Sequence, residues 1–491
     1  MRNVLPSFWS GSALACFLSP AMAQAPLCDF DPAPGEVVLN TDLAQVPTVN
    51  CGTLTVAGGV FQFRSFTIRP GVRVRGEGSR PMILLVAGDV VIDGELRVDG
   101  QNGERVDTLN SANFPARGGR GACGGGNGGD GSPSRIARDF VAQAGAGAFQ
   151  AGGLGGVGGR LGCGASNATG SGGGGGVFGT VGDPYYPVRN GTGTAFIQQI
   201  GVGGYGGGVG SGNAARTLPG GPPGVSPFRD GRDDNDFLGL GFDVNRRLLI
   251  TGELTGLLGG QGGGGGGDRS ASDCSNDPNQ WINDNKGGGG GGGGGCLVIF
   301  TLGSIRVGAG GHVSANGGHG GGGEQAGSNN QGGGGGGGSG GMLLLYALNE
   351  IEFAVHGETY ANGDHDFALA ADGGVSLRGA FAGFPVTGKY PPVAATTYDY
   401  NAAGGFGGLG VIQLFARPGT NADQTNTVLD DNVHFVRGGQ RLTGAEKQRY
   451  LAWRGFPDGL GVLVDDRGVP TNIGSREGDL RPTPVLLPIL Q

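Results

Sequence analysis

Apolar residues fall along this chain in two patterns. From Phe61 to Ile68 they alternate with polar ones, and Val72-Arg-Val-Arg75 repeats the alternation after an Arg69-Pro70-Gly71 turn. A period of two puts every second side chain on one face, so these segments predict short strands with one buried face. Elsewhere the apolar residues run together, as in Leu343-Leu-Leu-Tyr346. An unbroken run of this length, bounded by turn residues, reads as a parallel strand covered on both sides.

The strand-like segments also repeat. Gly295 to Gly317 aligns with Gly341 to Gly363 without a gap, matching Leu297 to Leu343, Ile305 to Ile351 and Ala315-Asn316-Gly317 to Ala361-Asn362-Gly363. A shorter version spans Met82 to Gly100, and fragments recur at Leu248–Leu254, Val375–Ala382 and Gly410–Ala416. Each unit reads as strand, turn, strand, turn, strand, with Gly, Asn or Asp at the corners, where a left-handed backbone is tolerated. Short strands with regular turns fit a sandwich or a solenoid, and the recurring unit favours the solenoid. The expected fold is all-β, a parallel β-helix with large Gly-rich insertions. One short helix is expected near the C-terminus, where Thr443-Gly-Ala-Glu446 forms a capping box ahead of Lys447–Trp453. The expected organisation is a leader over 1–23, a disulfide-tied cap over 24–58, the Gly-rich β-helix-like domain over 59–417, and a C-terminal segment over 418–491 that ends in an extended, Pro-broken tail.

Glycine changes the picture most: 116 of 491 residues. It concentrates in tracts such as Gly259–Gly267, broken by Gln261, Gly287–Gly295, and Gly332–Gly341, broken by Ser339. One reading is flexible linker, because so little apolar surface does not offset the ordering entropy. The other is extended polyglycine helices packed through their backbones. Three features favour the second. The tracts lack Ser-rich or Lys/Glu-rich filler, apolar residues such as Leu154, Val157 and Leu161 punctuate them, and something must cover the outer face of the all-apolar strands. A collagen helix is excluded, since no Gly-X-Y register is sustained.

Arg2, a broken apolar stretch from Val4 to Leu18 and the small-x-small site Ala21-Met22-Ala23 read as a secretory leader. Lipoprotein processing at Cys16 is the rival route. No segment is long and apolar enough to span a bilayer. Without Arg2 the net charge moves from −8 to −9. With no basic run, the chain has no footprint for a phosphate backbone, so nucleic acid is not an expected partner. Six cysteines follow the leader: Cys28, Cys51, Cys123, Cys163, Cys274 and Cys296. An even number in an exported chain points to disulfides, of which sequence allows 15 connectivities. Neighbour pairing is the expectation, Cys28 with Cys51, Cys123 with Cys163 and Cys274 with Cys296.

Candidate chemistry is thin. Asp230, Asp233, Asp234 and Asp236 form the densest carboxylate cluster and are a calcium candidate, although Arg232 breaks the EF-hand spacing. A solvated loop is the simpler account of them. Glu350, Glu352 and Glu358 share one unit, as do Asp89, Asp93, Glu95 and Asp99. A polysaccharide-cleaving enzyme would need two such carboxylates to converge, and charged residues at corners are expected anyway. The five histidines sit in no metal-binding spacing, and the only GxSxG, Gly337–Gly341, lies inside a glycine tract without a strand before it. No catalytic residue or cofactor is assigned.

The order Gly88-Asp-Val-Val-Ile-Asp-Gly-Glu-Leu-Arg-Val-Asp-Gly100, then a glycine tract, then Gly340-Gly-Met-Leu-Leu-Leu-Tyr346, resembles uncharacterised Gly-rich exported proteins of Gram-negative bacteria, of myxobacterial type. More loosely, the repeated units look like pectate-lyase-type β-helices and the tracts like the polyglycine bundles of some phage adhesin tips. These likenesses imply surface display or ligand contact by analogy alone. The expected function is an exported structural or adhesive scaffold of the cell surface or extracellular matrix. Its Gly-rich loops and interspersed aromatics such as Tyr185, Tyr186 and Tyr205 would contact a surface glycan or matrix component. A β-helix lyase or glycosidase is the first alternative, and an ice-binding protein, which would want a regular Thr rank or a flat polyglycine face, the second.

Overall fold

The structure, a computed structural model, describes residues 27–106, 115–132, 142–147, 162–163, 170, 172–178, 188–189, 196–197, 224–225, 241–242, 248–249, 254, 256–270, 286–324, 332–354, 368–374, 404–408, 410–416, 433–442, 461–464 and 470–473. Among these residues there are strands and no helix. Most strands belong to three parallel sheets. The first is ordered Asp29–Phe30, Ser65–Ile68, Val90–Ile92, Ile305–Val307, Ile351–Ala354, Val433–Arg437 and Gln440–Arg441. The second is ordered Gly35–Asn40, Val72–Glu77, Glu95–Arg97, His312–Ser314 and Leu369–Ala370. The third runs Val60–Phe63, Met82–Val86, Cys296–Thr301, Met342–Ala347, Val411–Ala416, Gly461–Val464 and Pro470–Ile473. Pairing is parallel throughout except for the last pair in the first sheet and the last pair in the third.

The chain visits the sheets in a fixed rotation. Met82–Val86 lies in the third, Val90–Ile92 in the first and Glu95–Arg97 in the second. The next layer repeats this with Cys296–Thr301, Ile305–Val307 and His312–Ser314. Between these two layers the chain makes its longest excursion, yet Leu297 still pairs with Met82, Ile305 with Val90 and Leu96 with Val313. The buried alternate residues of all three sheets form one core, with Phe30, Phe63 and Phe66 clustered at its N-terminal end.

The repeat seen in the sequence is the pairing register for two strands out of three. Cys296 pairs with Met342 and Ile305 with Ile351. The third match fails: Val313 pairs with Leu369 rather than with Thr359, the residue the ungapped alignment sets against it. The chain therefore spends ten more residues between the first and second sheets in that layer. Ala315 and Gly317 donate to Ala370 and Asp372, and Ala361-Asn362-Gly363 lies outside the described residues. Similarly, Leu248–Leu249 pairs antiparallel with Gly241–Phe242 and joins none of the three sheets.

Corner carboxylates and amides link the layers. Asp89 Oδ1 accepts from the Ser304 N–H (2.9 Å), Asp99 Oδ1 from Asn316 (2.6 Å), and Asn316 Oδ1 from Asp372 (2.9 Å). Each side chain satisfies an amide of the next layer that the strand ladder leaves open.

The antiparallel hairpin Leu43–Thr48/Gly52–Ala57 buries Ala44 and Val46 against the core, and the Cys28–Cys51 disulfide ties its turn to the first strand. At the other end the sheets continue past Arg417, through Val433–Arg437 and Gly461–Val464. The expected helix at Thr443–Trp453, the tail from Arg481, the leader and Val375–Ala382 lie outside the described residues.

Candidate functional site: a hydrogen-bonded polyglycine bundle

The glycine tracts are ordered legs that run out from the sheets and back. Outgoing legs follow second-sheet strands: residues 100–106 after Arg97, 316–324 after Ser314, and 371–374 after Ala370. Returning legs lead into third-sheet strands: Gly287–Gly295 before Cys296, Gly332–Gly341 before Met342, and 404–408 with Gly410 before Val411. Further legs at 115–122, 124–132, 142–147, 172–176 and 256–268 fill in beside them.

Each leg bonds to its neighbours at every third residue, the repeat of an extended helix with three residues per turn and no internal hydrogen bonds. The leg 286–295 shows the full pattern. Its Gly288, Gly291 and Gly294 N–H groups donate to Gly333, Gly336 and Ser339. Gly289, Gly292 and Gly295 donate to Glu104, Gln101 and Val98, and Gly290 and Gly293 donate to Gly129 and Gly126. Its carbonyls accept from the legs 115–122, 256–268 and 316–324. Six neighbours thus surround it, three reached by its donors and three by its acceptors. The leg 332–341 is enclosed in the same way.

This geometry dictates composition. At the enclosed legs a Cβ would lie about 2 Å from a neighbouring carbonyl oxygen: at Gly291 it would be 1.9 Å from Gly318 O, at Gly335 2.0 Å from Gly289 O. The hydrogen that occupies that position makes a Cα–H···O contact instead. Ordering glycine costs about 1–2 kcal/mol of backbone entropy per residue. Here nearly every amide of the enclosed legs gains a partner, and the backbones approach as no other residue allows. Legs with fewer neighbours keep small residues, glycine or alanine, at the inward positions and turn every third residue outward: Arg117 and Arg120, Asn127 and Asp130, Gln143 and Ala146. That three-residue period was present in Arg117-Gly-Gly-Arg120 and Asn127-Gly-Gly-Asp130 as a signal for legs at the rim.

Register passes from the sheets into the bundle without a slip. Met342 pairs with Cys296, and the bonds from Gly294, Gly291 and Gly288 to Ser339, Gly336 and Gly333 continue that alignment backwards. Two buried polar residues mark the register inside: the Gln261 N–H donates to Ser339 Oγ (2.8 Å), and Gln261 Oε1 accepts from Val177 (3.2 Å). The bundle also meets the outer face of the third sheet. Phe178, Leu254 and Leu258 pack with Cys296, Val298, Met342 and Val411, which explains why those strands are apolar on both faces.

The cysteine expectation holds once. Cys28 and Cys51 are bonded. Cys123 and Cys296 are free thiols, both fully buried, so neither expected bridge using them is present. Cys123 stands at the reversal between two legs with φ 40°, and its carbonyl accepts the Cys296 N–H (2.9 Å). Its thiol packs over Gly76 in the main core, whereas Cys296 belongs to the cluster outside the third sheet. Burial pushes both thiols well up.

The sheet faces carry paired charges. Glu350 is bonded by Arg441 (2.7 Å) and Glu352 lies 3.7 Å from Arg306. Arg73 and Arg97 both reach Glu95 (2.5 and 2.9 Å), and although burial pushes the Glu95 carboxyl up, the two guanidiniums outweigh it and hold the pKa down. Such pairs line the outside of the stack, each carboxylate paired with a guanidinium, and Arg75 joins Glu36 and Glu77. Glu358 and the aspartates 230, 233, 234 and 236 lie outside the described residues, as do Tyr185, Tyr186 and Tyr205. Among the described residues, no group of three or more His, Cys, Asp or Glu is placed to hold a metal, and no helix is long and apolar enough to cross a membrane.

Compared with models of protein families, with curated proteins and with solved structures, the chain matches none of them.

Proposed function

We propose that this chain is an exported structural or adhesive scaffold. In this reading the three sheets are the faces of a parallel β-helix, and the bundle is a rigid projection from one corner of it. The observation that carries the reading is the continuous register from strand to glycine leg. A catalytic protein has no need of a large lateral bundle whose enclosed positions are glycine almost throughout. A projecting scaffold needs rigidity at a distance from its base, and a lattice of crossbonded legs supplies it.

The legs are described outward as far as Val106, Ser132 and Glu324, and inward from Lys286. The bonds Val106–Gly322, Ser132–Gly266 and Glu324–Lys286 hold several of these ends side by side, away from the sheets. We assign contact with a surface glycan or matrix component to the bundle. The Cys28–Cys51 bridge fits an oxidising, extracellular location.

The test is fractionation of cells that make the tagged protein into medium, protease-shaved surface and periplasm. Retention on the outer surface is expected. Free release into the medium, together with turnover of a glycan that is lost in Glu350→Gln or Glu352→Gln, would replace the scaffold with an enzyme.

A further inference from the structure

We infer that four rim side chains, Glu104, Asn127, Asp130 and Gln143, terminate the polyglycine lattice and keep the bundle from adding further glycine legs, including those of a second copy of this chain. The argument follows from the lattice. A fully enclosed leg points its N–H groups at three alternate neighbours and receives bonds from the other three, as 286–295 does. Among the described residues a rim leg lacks some neighbours, so one row of its N–H groups faces a lattice position that no described leg fills, and Arg117, Arg120, Asn127 and Gln143 there are exposed. Such a row is the counterpart of an open sheet edge, which invites another chain.

The rows facing the empty positions are occupied by side chains. In the leg 115–122, Gly119 and Ala122 donate to the enclosed leg. Gly118 donates instead to Asp130 Oδ1 (2.7 Å) and Gly121 to Asn127 Oδ1 (2.9 Å). On its other side Arg117 N–H donates to Glu104 Oε2 (3.0 Å). In the leg 124–132, Gly126, Gly129 and Ser132 donate to 256–268, and Gly125, Gly128 and Gly131 to 115–122. In the third row Gly124 donates to Gly78, no described leg lies beside Asn127 and Asp130, and there the Asp130 N–H donates to Gln143 Oε1 (3.1 Å). In each case the acceptor comes from the leg flanking the vacancy. It holds the oxygen where the carbonyl of an added leg would stand.

Asn127 and Asp130 are three residues apart, as the helix repeat requires for two acceptors to serve one vacant position. Glu104 and Gln143 serve the vacancies on either side. The occupant excluded is thus a glycine-rich leg, and this chain is the nearest source of one.

The test uses the full-length secreted chain with Glu104→Gly, Asn127→Gly, Asp130→Gly and Gln143→Gly combined. Glycine suits every leg position, so the bundle is retained, and unreactive Cys123 and Cys296 thiols confirm that. Sedimentation velocity should show concentration-dependent association beyond the native chain's assembly state, reversed by excess hexaglycine. A second variant, Glu104→Gln with Asp130→Asn, removes the same two charges but keeps both acceptor oxygens, and should sediment as the native chain does. If the glycine variant keeps the native assembly state, the inference fails. It fails equally if the amide variant associates as strongly, because lost charge would then be the cause. Should the quadruple variant lose thiol protection, Asn127→Gly alone is measured under the same criteria.

Discussion

Gly291→Ala tests the physics of the bundle at its centre. The added methyl carbon would stand 1.9 Å from the Gly318 carbonyl oxygen, 2.5 Å from its carbon and 2.9 Å from the Gly338 nitrogen. Carbon contacts are comfortable at about 3.5–4.0 Å, so the leg 316–324 must retreat by more than an ångström. That leg is held by the bonds from Gly318 to Gly292 and from Gly321 to Gly289, both 2.7 Å. Overpacking strain costs about 1–3 kcal/mol. Each buried bond broken leaves unsatisfied groups worth about 1–3 kcal/mol. A loss of roughly 2–6 kcal/mol follows if one bond breaks and strain remains. Gly256→Ala is the control: nothing lies within 4 Å of its Cβ position and its φ is not left-handed. It should be neutral, or more stable by up to about 1 kcal/mol through the unfolded chain. The assay is denaturant unfolding followed by thiol exposure of Cys296, which joins the bundle to the third sheet. Equal midpoints for the two variants would refute backbone-to-backbone packing.

Three other outcomes are expected. Cys123 and Cys296 should resist maleimide in the native protein and label fully after denaturation, since burial holds both as thiols and shields them; mass spectrometry reads this directly, and fast native labelling would contradict it. Replacing Cys28 and Cys51 by Ser should weaken the N-terminal hairpin by about 3 kcal/mol in the chain-entropy estimate for a sequence separation of 23, seen as faster proteolysis near residue 50 while the bundle stays protected. The Arg64 guanidinium, with help from Ser65, holds the Asp29 carboxyl down to about 2. A depressed carboxyl stabilises the fold above its unfolded pKa, so this contribution is intact above about pH 4 and is lost as pH falls toward 2. Acid unfolding of Asp29→Asn should lack that component, and an unchanged acid transition would count against it.

The sheet residues were the legible part of this chain. Alternation at Phe61–Ile68 and unbroken apolar runs at Leu343–Tyr346 translate directly into one-face and two-face burial. The spacing from Cys296 to Met342 is a pairing register. The match failed at Thr359 because the second-sheet strand of that layer begins ten residues later than the ungapped repeat sets it. Ordered glycine was one of two open readings, since a tract of one residue type carries no pattern of its own. What decides between them lies in the partner legs, distant in sequence, and in the three-residue period of the rim legs. Cysteine pairing by proximity in sequence worked only where the two residues close one short loop. Cys123 and Cys296 are distant in sequence, and their thiols enter separate apolar clusters on either side of one sheet.

Amide hydrogen exchange of Gly287–Gly295 and Gly332–Gly341 tests the central claim most directly. Gly288 to Gly295 all donate to a neighbouring leg, as do most amides of Gly332–Gly341, so both segments should exchange as slowly as the strand Met342–Ala347. Exchange at the unprotected rate of free polyglycine, with that strand still protected, would mean that the tracts are loose chain and that no bundle exists.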